Sequence, residues 1–231
     1  SRDTNDVRCN NAMGLWNLKR GKFDKAVEYF DKAIKTLTER NPNPYDGEPY
    51  FNKGLALNFL GRKDEAYGAF FKSCWNAAWQ DAGYFNLAQI DCFRGDLEKA
   101  LDLVNRSLIK NWHNHKARHL KIIILRKQGK LNEAEHLIED SLAIDKFNFG
   151  ALYEKYLFSK NEEDIDKLKE ILRDYAHNYI EFSLDYAQAG QFKEAIDFIS
   201  LLANDKNEMY PMVPYFLAWY YDQDNNLEQA S

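Results

Sequence analysis

Gly95-Asp-Leu-Glu-Lys-Ala100 decides the fold, because its pattern returns along the chain. It recurs as Gly21-Lys-Phe-Asp-Lys-Ala26, Gly61-Arg-Lys-Asp-Glu-Ala66, Gly129-Lys-Leu-Asn-Glu-Ala134 and Gly190-Gln-Phe-Lys-Glu-Ala195, with a weaker sixth copy at Asn225-Asn-Leu-Glu-Gln-Ala230. Successive copies start 40, 34, 34, 61 and 35 residues apart in chain order. In each strong copy a glycine, free to adopt positive φ, ends one helix. Five residues later comes an alanine, whose methyl lets a second helix cross the first closely. The second helices show helical periodicity. Ala26, Phe30, Ala33 and Ile34 share a face, and so do Ala66, Phe70, Ser73 and Cys74. Ala100, Val104, Ser107 and Leu108 repeat it, followed by Ala134, Ile138, Ser141 and Leu142.

Sliding this pattern along the chain predicts four regular helix pairs in residues 1–145, with a loop insertion at 41–49. The insertion, Asn41-Pro-Asn-Pro-Tyr-Asp-Gly-Glu-Pro49, carries two Asn-Pro steps and Asp-Gly, all strong turn signals. The long interval predicts a degenerate, shortened repeat in residues 146–176, with helices over Phe149–Ser159 and Glu163–Tyr175 and a change of superhelix direction. Residues 177–231 hold one further repeat and a truncated seventh. The expected fold is therefore all-α, about six helix pairs plus part of a seventh, each packing on its neighbours.

Composition fits a folded chain: 45% of the 231 residues are hydrophobic and only five are proline. Basic and acidic residues number 31 and 36 and are interspersed, which disfavours a nucleic-acid partner. Cys9, Cys74 and Cys92 lack any C-x-x-C spacing, and their odd number argues for a reducing compartment. Cys74 falls at a core position. No apolar run approaches the roughly 20 residues of a membrane span. The start at Ser1 and the stop at Ser231, in mid-helix, read as cuts in a longer protein.

The signatures, the 34-residue period and the small residues Gly14, Gly54 and Ala88 in the first helices resemble the tetratricopeptide repeat (TPR) family. That resemblance implies a right-handed α-α superhelix, the TPR solenoid, which binds proteins and is not an enzyme. More narrowly, Arg40-Asn-Pro-Asn-Pro-Tyr-Asp-Gly-Glu48, with Ala66-Tyr67, Ala69-Phe70 and Trp75-Asn76, resembles the C-terminal repeat block of large bacterial multidomain proteins. Their preceding domain is of unknown function and looks carbohydrate-related. This implies a cytoplasmic fragment, with an alternative role as accessory to a carbohydrate-processing enzyme. It carries no catalytic residue onto this chain.

In the TPR family the first helix of each pair lines a concave groove. Carried over, this implies Phe51, Leu55 and Phe59 with Asn52 beside them, then Phe85, Gln89 and Phe93 with Asn86, then His119, Ile123 and Lys127. These stripes lie beside the core stripe of Tyr50, Gly54 and Leu57, which is more apolar surface than one packed face requires. Asn52 and Asn86, at equivalent positions, could grip the backbone of an extended peptide. The competing reading is that neighbouring first helices bury these aromatics against each other.

The family's carboxylate-binding version needs a basic clamp, and Asn11, Leu15, Ala82 and Asn86 stand at its positions. Recognition of a C-terminal carboxylate is therefore not expected. His113, His115 and His119 lack a convergent third or fourth ligand, so no metal is expected. Trp75, Trp79, Trp112 and Trp219 could stack on sugars, but the first three lie at repeat junctions, where packing is the ordinary role. Asp91, Glu154 and Asp185 belong to no distinctive motif, and no P-loop, G-x-S-x-G, H-E-x-x-H or dinucleotide fingerprint is present. The expectation is a scaffold without cofactor that binds a protein or peptide, including the N-terminal region of its own polypeptide, and no nucleic acid or membrane. The oligomeric state is left open.

Overall fold

The computed structural model describes residues 4–43, 45–203 and 210–224. Pro44 and the sixth signature, residues 225–230, lie outside them, and so does the truncated helix expected there. The described residues form thirteen α-helices. They are α1 (Val7–Leu18), α2 (Phe23–Thr38), α3 (Glu48–Phe59), α4 (Lys63–Ser73), α5 (Gln80–Phe93), α6 (Leu97–Lys110) and α7 (His115–Lys127). There follow α8 (Leu131–Ile144), α9 (Phe149–Ser159), α10 (Glu162–Leu172), α11 (Ala176–Gln188), α12 (Phe192–Ala203) and α13 (Met212–Gln223). Consecutive helices pack as antiparallel pairs, so the all-α repeat fold expected from the signatures is the observed one.

The turns are built as their glycines require. Gly21 and Gly61 adopt φ of 69° and 73°, and the backbone N–H groups of Lys22 and Arg62 reach back to the carbonyls of Asn17 and Leu57. The small residues of the first helices have an equally direct cause. A Cβ added at Gly14 or Gly54 would fall 2.3 or 2.6 Å from the ring of Phe30 or Phe70.

The chain divides into two compact units. Unit 1 comprises Ser1–Ile90 and Asp102–Trp112, and unit 2 comprises Asp91–Leu101 and His113–Ser231. In unit 1 the fully buried Ala26, Phe30, Ala56, Leu57, Ala66, Phe70 and Leu87 form the core. Cys74 is buried among them, as its position in the repeat predicts.

Unit 2 contains the shortened repeat, α9 and α10. Both of its helices end without glycine, on Lys160 at φ 52° and on Arg173 at φ 54°, and Asp174 follows at φ 52°. Left-handed backbone at non-glycine residues is uncommon, so these tight exits are held by the packing around them. That packing is an aromatic core of Tyr153, Tyr179, Tyr186, Phe198 and Tyr220 with Leu152, Leu168, Leu172 and Ile199.

Candidate functional site

In unit 1, α1 and the start of α3 enclose a cleft of about 320 Å³. Arg8, Asn11, Ala12 and Leu15 come from α1 at helical spacing, with Val7 beside them. Asp46 and Glu48 come from the insertion and the first turn of α3. Asn11 is the polar residue of its floor, and the Asn52 carboxamide lies behind it. The Asn52 amide donates to Asn11 Oδ1 at 3.1 Å and, more weakly, to Glu48 Oε1 at 3.5 Å. Asn11 is only 8% exposed, and its own amide N–H2, which meets no acceptor among the described residues, is not sealed from the cleft.

Residues 45–48, the end of the insertion, are fixed in place. Asn76 Nδ2 donates to the Tyr45 carbonyl at 2.8 Å, and the Glu48 backbone N–H donates to Asp46 Oδ1 at 2.9 Å. Gly47 is pressed against α4 and the turn after it, where an added Cβ would lie 2.7 Å from the Ser73 carbonyl oxygen.

The other sequence-derived residues of unit 1 have varied surroundings. Phe51 stacks on Trp79 with centroids 4.8 Å apart and tilts against Phe70 at 5.5 Å. Leu55 is half-buried against the unit 1 core. Phe59 is 60% exposed and lies flat on Phe23 at 5.0 Å. Phe85 is half-buried, Gln89 is buried, and Asn86 turns its amide back onto the Ala82 carbonyl at 2.8 Å. Asn52 thus couples to Asn11 on the preceding first helix. Arg8, Asp46 and Glu48, which share that cleft, were not singled out from sequence. The available signal was the insertion itself, which delivers two carboxylates where a regular repeat has none.

A larger opening of about 650 Å³ lies between α1 and α2 on their other side, lined by Cys9, Asn10, Met13, Tyr29, Lys32 and Lys35 among others. Its buried polar residue, Asn10, gives both amide hydrogens to the Thr4 and Asp6 carbonyls and offers no free donor.

In unit 2 the corresponding face of α7 is occupied by the chain itself. Ile123 is buried in the aromatic core. His119 is 3% exposed, edge-on to Tyr186 at 4.8 Å and pressed under Gly150, where an added Cβ would lie 2.7 Å from its ring. Its Nε2 has no partner among the described residues, and burial pushes its pKa down to about 4. Phe93 meets Phe192 edge-on at 6.1 Å, and its backbone lies 3.0 Å from where a Cβ on Gly190 would stand.

The basic residues of α7 are likewise taken. Lys116 Nζ reaches Asp185 at 3.0 Å and Glu181 at 3.3 Å, both on α11. Arg126 donates to Glu154 on α9 and to Glu194 on α12, which also receives Lys127 Nζ at 2.7 Å. Tyr186 OH donates to Glu154 Oε1 at 2.7 Å, completing the shell of a carboxylate with no solvent exposure. Burial opposes the charge on Arg126, but Glu154 and Glu194 outweigh it and hold its pKa above the usual range. For Asp185 burial dominates and raises the pKa against the pull of Lys116.

His115 Nδ1 lies 3.3 Å from Asn148 Nδ2, and no three side chains among the described residues are grouped to hold a metal ion. Among those residues no helix is long and apolar enough to cross a membrane.

The tetratricopeptide repeat family matches residues 7–36, the α1–α2 pair. An uncharacterized protein of Methanocaldococcus jannaschii is 45% identical over 53 residues, which are 23% of this chain and 55% of that protein. The chain thus spans about half the length of that relative. A tetratricopeptide repeat protein from Parabacteroides merdae superposes with a TM-score of 0.62 at 16% identity, covering 97% of this chain and 89% of its own. YrrB, described as a TPR protein with an unusual peptide-binding site, gives 0.57 at 18% identity over 75% of this chain and 90% of its own. Residues 7–36 thus resemble a tetratricopeptide repeat, and the helix pairs share the fold of TPR proteins.

Proposed function

We propose that this chain is a non-catalytic scaffold that holds an extended protein segment against the face formed by α1 and α3. One observation carries the reading. Asn11 lines a cleft, is buried to more than nine-tenths, and has an amide donor with no acceptor among the described residues. That donor opens to the cleft rather than lying sealed in the core, and a main-chain carbonyl of a bound segment would accept from it. Leu15, Ala12 and Val7 provide the apolar wall against which such a segment packs. The fold shared with YrrB, a peptide-binding TPR protein by its description, is consistent with this use of the first helices. Of the residues expected from sequence, Asn52 supports this groove through its hydrogen bonds to Asn11 and Glu48, while Leu55 and Phe59 extend the same helix. Phe85, Asn86 and Gln89 continue the stripe on α5. Phe93, His119 and Ile123 pack within unit 2 and would act by shaping it. The segment can belong to another protein or to the N-terminal region of the same polypeptide.

The test is fluorescence anisotropy with a pool of acetylated, amidated octapeptides against the unaltered protein and Asn11→Ala. Loss of one hydrogen bond to the segment should weaken binding roughly tenfold, with the circular dichroism spectrum unchanged. Equal affinity in the two proteins would count against the groove.

The accessory role beside a carbohydrate-processing enzyme rests on the resemblance of residues 40–48 and 66–76, which contribute no catalytic group. Calorimetry with an oligosaccharide panel tests it, and a panel without heat would remove it.

A further inference from the structure

The insertion at 41–49 gives the groove a charge that its helices alone would lack. Asp46 and Glu48 both line the cleft, and neither makes an ion pair among the described residues. Asp46 uses one oxygen to accept the Glu48 N–H, and Glu48 receives only the long contact from Asn52. Both are half-buried rather than free in solvent. Their backbone is anchored by the Asn76–Tyr45 hydrogen bond and by the close packing of Gly47. Arg8 also lines the cleft, but it is exposed and makes no ion pair among the described residues. Two half-buried carboxylates against one exposed cation leave a site complementary to positive charge.

We propose that the insertion makes this groove selective for a segment bearing a lysine or arginine. The cationic head sits against Asp46 and Glu48, while a main-chain carbonyl of the same segment accepts from Asn11. Charge-assisted hydrogen bonds to a preset acid pair are stronger than neutral ones, and charge complementarity chiefly supplies specificity. The two contacts come from different parts of the chain, the carboxylates from the end of the insertion and the first turn of α3, and the amide from α1. This inference rests on the groove reading above and adds the chemistry of the occupant.

The experiment uses three pools of acetylated, amidated octapeptides, identical except for a central lysine, norleucine or glutamate. Each is titrated by anisotropy into the unaltered protein and into Asp46→Asn/Glu48→Gln, which keeps the shape of both side chains. The lysine pool should bind roughly tenfold tighter than the norleucine pool, and the preference should vanish in the double variant. Tight binding without preference for lysine, or a preference that survives in the double variant, overturns this inference and leaves the groove standing. If no pool binds the unaltered protein, both readings fall.

Discussion

Arg126 donates two hydrogen bonds to Glu154, at 2.8 and 3.2 Å, across 28 residues of sequence. The same guanidinium reaches Glu194, 68 residues away, at 3.1 Å. Three helices of unit 2 are thereby fastened at one point, and Tyr186 supplies the remaining donor to Glu154. Removing one member of a buried ion pair leaves the other uncompensated. Glu154→Ala is expected to lower the unfolding free energy by about 3–5 kcal/mol. Glu154→Gln, which still accepts from Tyr186, should cost less. Urea denaturation followed by circular dichroism decides it, and equal stability of Glu154→Ala and the unaltered protein would contradict the network's role.

Two glycines should respond to alanine with opposite signs. At Gly54 the new methyl would enter the Phe70 ring, so overpacking should cost about 1–3 kcal/mol. Gly68 lies on the exposed side of α4 with nothing within 4 Å of an added Cβ. Gly68→Ala should therefore stabilise by roughly 0.5–1 kcal/mol through helix propensity. Thermal melts of the two variants give the signs directly.

His119 should make unit 2 sensitive to mild acid. Its folded pKa, about 4, lies below the ordinary value of 6.5, so the unfolded chain takes up the proton first. Its contribution is complete above about pH 6.5 and is lost as the pH falls toward 4, a swing of ~3 kcal/mol at most. Asp185, with a raised pKa, acts in the opposite sense nearer the usual carboxylate range, and Lys116 stays charged beside it. Stability measured at pH 7 and pH 5 should therefore fall more steeply for the unaltered protein than for His119→Gln. Parallel slopes would exclude His119 as the cause.

The three thiols should separate by accessibility. Cys9 is exposed, while burial raises the pKa of both Cys74 and Cys92 to about 11. A thiol reagent at pH 8 should modify Cys9 rapidly and the other two only after urea is added, read by mass spectrometry. Prompt modification of Cys92 would show that unit 2 opens readily.

The fold was legible because its punctuation is local. Glycine at the end of each first helix, alanine at each crossing and the small residues under Phe30 and Phe70 all act within one repeat. The exits at Lys160, Arg173 and Asp174 were not legible, since nothing in those side chains announces a left-handed backbone. Glu154 and Asp185 were visible only as scattered acids. Glu154 meets Arg126 from the adjacent α9, while Asp185 meets Lys116 and Glu194 meets Arg126 because the shortened repeat lets α11 and α12 reach α7. Periodicity also could not separate a stripe that faces a ligand from one that faces a neighbouring helix. Phe51 and His119 share a helical position, yet one rests on Trp79 and the other is buried edge-on to Tyr186 in unit 2. Asn52 was found by its spacing, while its partner Asn11 was noticed only as a missing clamp residue.

The bonds from Arg126 to Glu154 and Glu194 also bear on how unit 2 comes apart. An ordinary repeat array unfolds as a sum of units and nearest-neighbour couplings, so its ends can fray while the middle survives. Here the fourth repeat is tied directly to the sixth by Arg126 and Glu194, and Lys116 bridges to α11 as well. A nearest-neighbour description omits that coupling. Loss of α12 removes a counter-charge from inside the fourth repeat, so fraying of unit 2 should spread inward rather than stop at a repeat boundary. A shortened repeat in the middle of an array thus turns a modular stretch into a single cooperative block.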